Sequence, residues 1–144
     1  MTAPFIMLVD DEADFVETMV KRLGKRNITA IKAFSGEEGL ETLKTNMMLD
    51  VIVLDVKMPG MDGIEALREI KKTSPLTEVI MLTAHATVES AIDGMKLGAY
   101  DYMMKPCDID MLVGKVTEAA QKKWDHEEKI KDARAKEIMS RYEQ

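Results

Sequence analysis

Short apolar runs rich in branched residues alternate five times with amphipathic stretches, the pattern of a parallel sheet covered by helices. "FIMLVD" (5 to 10) reads as the first strand, after which Phe15, Met19, Val20 and Leu23 recur at helical spacing. "ITAIKAF" (28 to 34) is the second strand, and Ser35 with Glu38 three residues on has capping-box spacing for the second helix. "DVIVLDV" (50 to 56) is the third strand. A loop with Pro59, Gly60 and Gly63 leads to a helix through Ile64, Leu67 and Ile70 that stops before Pro75. "EVIMLTA" (78 to 84) is the fourth strand; the helix from Val88 to Leu97 is expected to turn Ala91, Ile92 and Met95 inward and to end at Gly98. "AYDYMMK" (99 to 105) is the fifth strand, and the last helix starts near Asp108.

Right-handed crossovers leave an open doubly wound sheet or an incomplete barrel, and five units are too few for a closed barrel. The expected fold is α/β, a flavodoxin-like five-stranded parallel sheet in the order 2-1-3-4-5 with five helices. Residues 1–121 form one domain. Residues 122–144 form a charged C-terminal extension that continues the last helix, its broken apolar stripe made of Trp124, Ile130, Ala133, Ile138 and Tyr142.

Composition narrows the classes. A net charge of -6 argues against chain-wide nucleic-acid binding, and no run approaches membrane-spanning length. No signal peptide is visible, and the single Cys107 forms no disulfide or metal motif, so the cytoplasm is the expected setting. The thirteen methionines are read chiefly as adaptable core filling.

The chemistry lies at the strand ends, where doubly wound sheets bind ligands. Asp10 and Asp11 follow the first strand, Asp55 the third, Thr83 the fourth and Lys105 the fifth. Alone, each has a plain reading: Asp10-Asp11-Glu12 as a helix cap, Asp55 as a loop acid, Thr83 as a strand former, Lys105 as a solvated end. Together they gather three carboxylates in one crevice, where repulsion calls for a cation. Oxygen-only ligands suit Mg²⁺. Flanked by the ion and Lys105, an ionised Asp55 is placed to attack phosphorus, with the metal, Lys105 and Thr83 stabilising the transferring group.

"LVDDE", "LDVKMPGMDG", "LTAHA" and "YDYMMKP", spread between Phe5 and Ala120, make the chain resemble the receiver domain of two-component response regulators. The resemblance implies that Asp55 is a phosphoacceptor fed by a histidine kinase or phosphotransfer protein. It implies that Asp10, Asp11, Asp55 and the main-chain carbonyl of Lys57 hold Mg²⁺, and that Thr83 and Lys105 contact the phosphoryl group. Tyr102 matches the aromatic whose rotamer follows Thr83, reshaping the face of the fourth helix, fifth strand and fifth helix for a protein partner or homodimer. The Lys105-Pro106 bond is expected to be cis. Lys57 and His85 match sites that tune dephosphorylation, and Cys107 replaces a bulky apolar residue as small core filling.

The motifs look most like receivers of the transcriptional-activator class, but no effector domain follows in this sequence. The terminal helix is read as a solvated helix rather than a dimerising or partner-binding one, and a truncated larger regulator stays open. Two rival readings remain. A haloacid-dehalogenase-type phosphatase needs a second acid where Lys57 stands, and a non-phosphorylated interaction module would have no use for so complete a set of polar residues.

Overall fold

The computed structural model describes residues 3–143. Its strands are β1 (Phe5–Val9), β2 (Thr29–Ala33), β3 (Val51–Leu54), β4 (Glu78–Thr83) and β5 (Asp101–Met104). The helices are α1 (Ala13–Gly24), α2 (Gly36–Thr45), α3 (Gly63–Thr73), α4 (Val88–Lys96) and α5 (Ile109–Tyr142). All strand pairs are parallel, in the order β2-β1-β3-β4-β5. This is the expected flavodoxin-like arrangement.

Successive side chains of a strand point to opposite faces, so the continuous apolar runs feed two cores. Ile6, Leu8, Val51, Val53, Ile80 and Leu82 meet α1 and α5 on one face. Met7, Val9, Ile52, Leu54, Val79 and Met81 meet residues of α2 and α3 on the other. The methionines divide between roles: Met7, Met19, Met58, Met81 and Met103 are buried, while Met47, Met48, Met95, Met104, Met111 and Met139 are exposed.

Local chemistry sets the boundaries. Ser35 Oγ accepts from the Glu38 N–H, and the Glu38 carboxylate reaches back to the N–H of Phe34. α4 ends in a Schellman motif, with Gly98 (φ +100°) bonding to the carbonyl of Met95 and Ala99 to that of Gly94. The inner face of α4 differs from the sequence expectation. Ile92 and Met95 are about half exposed, at 48% and 49%, and Ala91 is half-buried. Gly94 is the buried residue, lying against Met81, Tyr102 and Ile64. A helix that approaches its neighbours through a glycine leaves its larger apolar residues on the outside.

α5 runs 34 residues without a break, about 50 Å at the α-helical rise. Its inner side is held to Asp50 by Lys123 and Trp124, and Glu127 pairs with Lys123 along the helix itself. From Glu128 onward every described residue is exposed, including Ile130, Ile138 and Tyr142 of the expected stripe.

Candidate functional site

The parallel ladder brings the carboxyl ends of the strands together. Val9 pairs with Leu54, and the Asp55 N–H bonds to the carbonyl of Val9 at 3.0 Å, which sets Asp55 beside Asp10. On the far side, the Lys105 N–H bonds to the carbonyl of Thr83. Asp10, Asp55 and Lys105 therefore stand on the first residue past β1, β3 and β5, Asp11 on the second past β1, and Thr83 on the last residue of β4.

Carboxylate oxygens of Asp10, Asp11 and Asp55 lie within 4.8 Å of one another. Asp10 and Asp55 are buried, at 3% and 4% exposure, and Asp11 is exposed. Asp55 Oδ1 is buried and has no hydrogen-bond partner among the described residues. An orphaned carboxylate oxygen among two further carboxylates is costly unless a cation meets it. The donor set is oxygen only, which fits Mg²⁺.

Gly63, the first residue of α3, lets that helix press against the Asp55 main chain. Its N–H bonds to the carbonyl of Val56 at 2.7 Å, and a Cβ there would lie 2.0 Å from the Asp55 carbonyl oxygen. The sequence shows Gly63 as a loop residue only. Its part in seating Asp55 needs the three-dimensional approach.

The Lys105 ammonium sits on Asp10 Oδ2 at 2.6 Å and Glu12 Oε1 at 3.0 Å, over the ring of Phe15 at 4.1 Å. Glu12 is the N-cap residue of α1, but its side chain makes no capping bond. Instead Asp10 Oδ1 accepts the Glu12 N–H. Burial pushes the Asp10 carboxyl above its ordinary value, the bonds from Lys105 and the Glu12 N–H oppose this, and the charge of Asp55 adds to the rise. For Lys105, burial works downward but the bonds to Asp10 and Glu12 prevail and hold its pKa above the ordinary one. A simple ion pair would lower the acid; here burial of Asp10 outweighs its partner.

Thr83 is fully buried, and its Oγ1 accepts the N–H of His85 at 3.0 Å. Lys57 and His85 are exposed and, with Asp11, Glu12, Asp55, Met58 and Pro59, line an open crevice of about 430 Å³. Tyr102 is half-buried with its hydroxyl 2.5 Å from Ser90 Oγ. The sequence reading passed over Ser90, although it stands three residues after Thr87 at capping-box spacing. The Lys105-Pro106 peptide is cis. Cys107 is half-buried against the α1/α5 core, and burial raises its thiol pKa.

The sequence matches the response regulator receiver domain over residues 6–117. It is 35% identical over 119 residues to "DNA-binding transcriptional regulator NtrC" of Escherichia coli (strain K12), an alignment covering 83% of this chain and 25% of that protein. The chain thus spans about a quarter of the length of such curated relatives. A response regulator receiver domain protein from Clostridium thermocellum superposes with a TM-score of 0.80 at 35% identity, covering 83% of this chain and 96% of that one. A CheY-like receiver protein from Methanospirillum hungatei JF-1 gives 0.82 at 26% identity, covering 87% and 99%. With the strand order and the acidic crevice, these matches establish that the chain belongs to the response regulator receiver domain family, the phosphorylation-switched module of two-component signalling.

Proposed function

We propose that Asp55 is the phosphoacceptor, taking a phosphoryl group from the phosphohistidine of a histidine kinase or phosphotransfer protein. A carboxylate oxygen of Asp55 attacks phosphorus, an O–P bond forms, and the N–P bond breaks with its electron pair left on the imidazole. The observation that carries this reading is the buried, unpartnered Oδ1 of Asp55 at the open crevice. Asp10, Asp11, Asp55 and the main-chain carbonyl of Lys57 would hold Mg²⁺, which supplies charge neutralisation for the transferring group when bound. Thr83 and Lys105 provide a hydroxyl and an ammonium within the same strand-end cluster, the latter on leaving its bonds to Asp10 and Glu12. In this reading the domain promotes only its own phosphorylation and dephosphorylation, with Lys57 and His85 at the crevice tuning the latter. Lys57 is no substitute for the second acid of a haloacid-dehalogenase phosphatase.

The output is read from the α4-β5-α5 face, where Val88, Ile92, Met95, Met104 and Met111 are exposed, by a protein partner or a second copy. Tyr102 is the aromatic that moves with Thr83. The units are a receiver over 1–121 and a helical extension over 122–144, with Lys122, Lys123 and Trp124 of the extension fastened to the receiver. The free thiol of Cys107 fits a cytoplasmic setting. Among the described residues no helix is long and apolar enough to cross a membrane. The test is incubation with a small phosphodonor and Mg²⁺ followed by intact-mass measurement: wild type gains one phosphoryl group and Asp55→Asn none. An equal gain in both would remove Asp55 from the role.

A further inference from the structure

The hydroxyl of Ser90 is claimed by two structures at once. As part of the α4 capping box, its oxygen lies 3.2 Å from the Thr87 N, 2.9 Å from Thr87 Oγ1 and 3.1 Å from the Thr87 carbonyl oxygen. The same oxygen is 2.5 Å from the hydroxyl of Tyr102. A serine hydroxyl has one proton and two lone pairs, so it serves three partners and not four. The Thr87 carbonyl also accepts the Ala91 N–H at 3.0 Å, and either hydroxyl can donate in the Ser90–Tyr102 contact; with the Tyr102 O–H as donor, the Ser90 proton goes to the Thr87 carbonyl. The Thr87 N–H, Thr87 O–H and Tyr102 O–H are then three donors for two lone pairs. Of these three, the contact from the Thr87 N–H is the longest, at 3.2 Å, and so the weakest competitor. The Tyr102 ring itself lies along α4, with its Cδ2 3.7 Å from where a Gly94 Cβ would stand.

The geometry points to Ser90 as a positioning residue that latches Tyr102 to the first turn of α4, so that withdrawal of the tyrosine hydroxyl hands the Ser90 oxygen back to the Thr87 N–H and tightens that turn. Ring position and helix capping are thereby exchanged through one oxygen. The link to signalling rests on the reading of Tyr102 as the moving aromatic; the latch itself is a property of the unphosphorylated chain.

The test is NMR on the full chain with labelled tyrosine rings, together with amide exchange at Thr87. Tyr102→Phe should slow Thr87 exchange on the order of fivefold, the worth of one ordinary hydrogen bond. Ser90→Ala should shift the Tyr102 ring resonances and erase the effect of Tyr102→Phe, whereas Ser90→Thr, which keeps a hydroxyl, should preserve the wild-type ring signals. A Ser90 that only caps its helix would leave the ring signals of Ser90→Ala and the Thr87 exchange of Tyr102→Phe unchanged, and either result overturns the latch. After treatment with phosphodonor and Mg²⁺, Thr87 exchange should slow in wild type as in Tyr102→Phe. A protein that gains phosphoryl mass without that slowing overturns the link. A protein that gains no mass refutes the proposed function instead, and the unphosphorylated variants then decide the latch alone.

Discussion

Strand β3 is four residues long and has a buried acid at each end, Asp50 before Val51 and Asp55 after Leu54. Asp50 accepts from the Phe5 N–H at 2.8 Å, Trp124 Nε1 at 2.9 Å and Lys123 Nζ at 3.2 Å. Nearby, Glu78 at the start of β4 accepts from Lys71 and pairs with Lys122. The opposite end gathers Asp10, Asp11, Glu12 and Asp55; the Lys105 ammonium pairs with Asp10 and Glu12, and Asp55 keeps an oxygen with no partner among the described residues. The same sheet thus carries one acid that the fold satisfies and one that it leaves open. A satisfied buried acid fastens elements together; an unsatisfied one marks a place prepared for something else.

Exchanging the two acids' fates breaks the comparison most sharply. Asp50→Ala leaves Lys123 buried without its buried partner and should cost about 3–5 kcal/mol in urea unfolding, while the folded fraction still accepts a phosphoryl group. Asp55→Asn should abolish phosphoryl acceptance, and in metal-free buffer it should raise stability by roughly 1 kcal/mol because a like-charge contact is removed. Loss of stability in Asp55→Asn comparable to Asp50→Ala would make both acids structural.

Gly63→Ala tests the seat of Asp55. A Cβ overlapping backbone at 2.0 Å cannot be absorbed by a flexible side chain. Displacing α3 should cost about 3 kcal/mol, with phosphoryl acceptance slowed because Asp55 shifts. Mg²⁺ sharpens the contrast without mutation: at a concentration 100 times its Kd it should stabilise the wild type by about 2.7 kcal/mol. The gain should persist in Asp50→Ala and shrink in Asp55→Asn. Truncation locates the other end of the comparison. Stopping after Glu128 should change stability by less than about 0.5 kcal/mol, as expected for removing exposed residues, whereas stopping after Gln121 strips Lys122, Lys123 and Trp124 from Glu78 and Asp50 and should approach the loss in Asp50→Ala.

The two ends were not equally legible in the sequence. The strands were, since apolar runs in a parallel sheet need no partner to be recognised, and the acidic cluster was, because topology alone brings Asp10, Asp11 and Asp55 to one edge. Asp50 was visible only as the first letter of an apolar run. Its partners Lys123 and Trp124 are 73 and 74 residues away, and periodicity carries no information about pairings at that distance. The pairing of Lys105 with Asp10 and Glu12 was not read from the sequence, because it depends on side-chain reach. The face of α4 misled because hydrophobic periodicity weighs Ile92 and Met95 and gives no weight to Gly94, the residue that makes the close approach.

The smallest expected effect concerns pH and isolates Asp10, the buried acid of the crevice that is paired with an ammonium. Its folded pKa is raised above the ordinary 3.8 because burial outweighs the bonds from Lys105 and the Glu12 N–H. A carboxyl that holds its proton more tightly when folded favours folding most at pH below its unfolded pKa, and that contribution is lost as pH rises through the folded value. Metal-free protein should therefore lose this contribution between the ordinary carboxylate range and the raised pKa of Asp10, and Asp10→Asn should abolish that slope. Lys105 behaves separately: its raised pKa means that its contribution is complete below 10.5 and disappears only as pH climbs through the raised value. Mg²⁺ held by the ionised carboxylates would compete with protons, so saturating metal should move the acid slope to lower pH. An acid slope indifferent to both Asp10→Asn and Mg²⁺ would place the titrating group outside the crevice, and would leave Asp10 as well satisfied as Asp50.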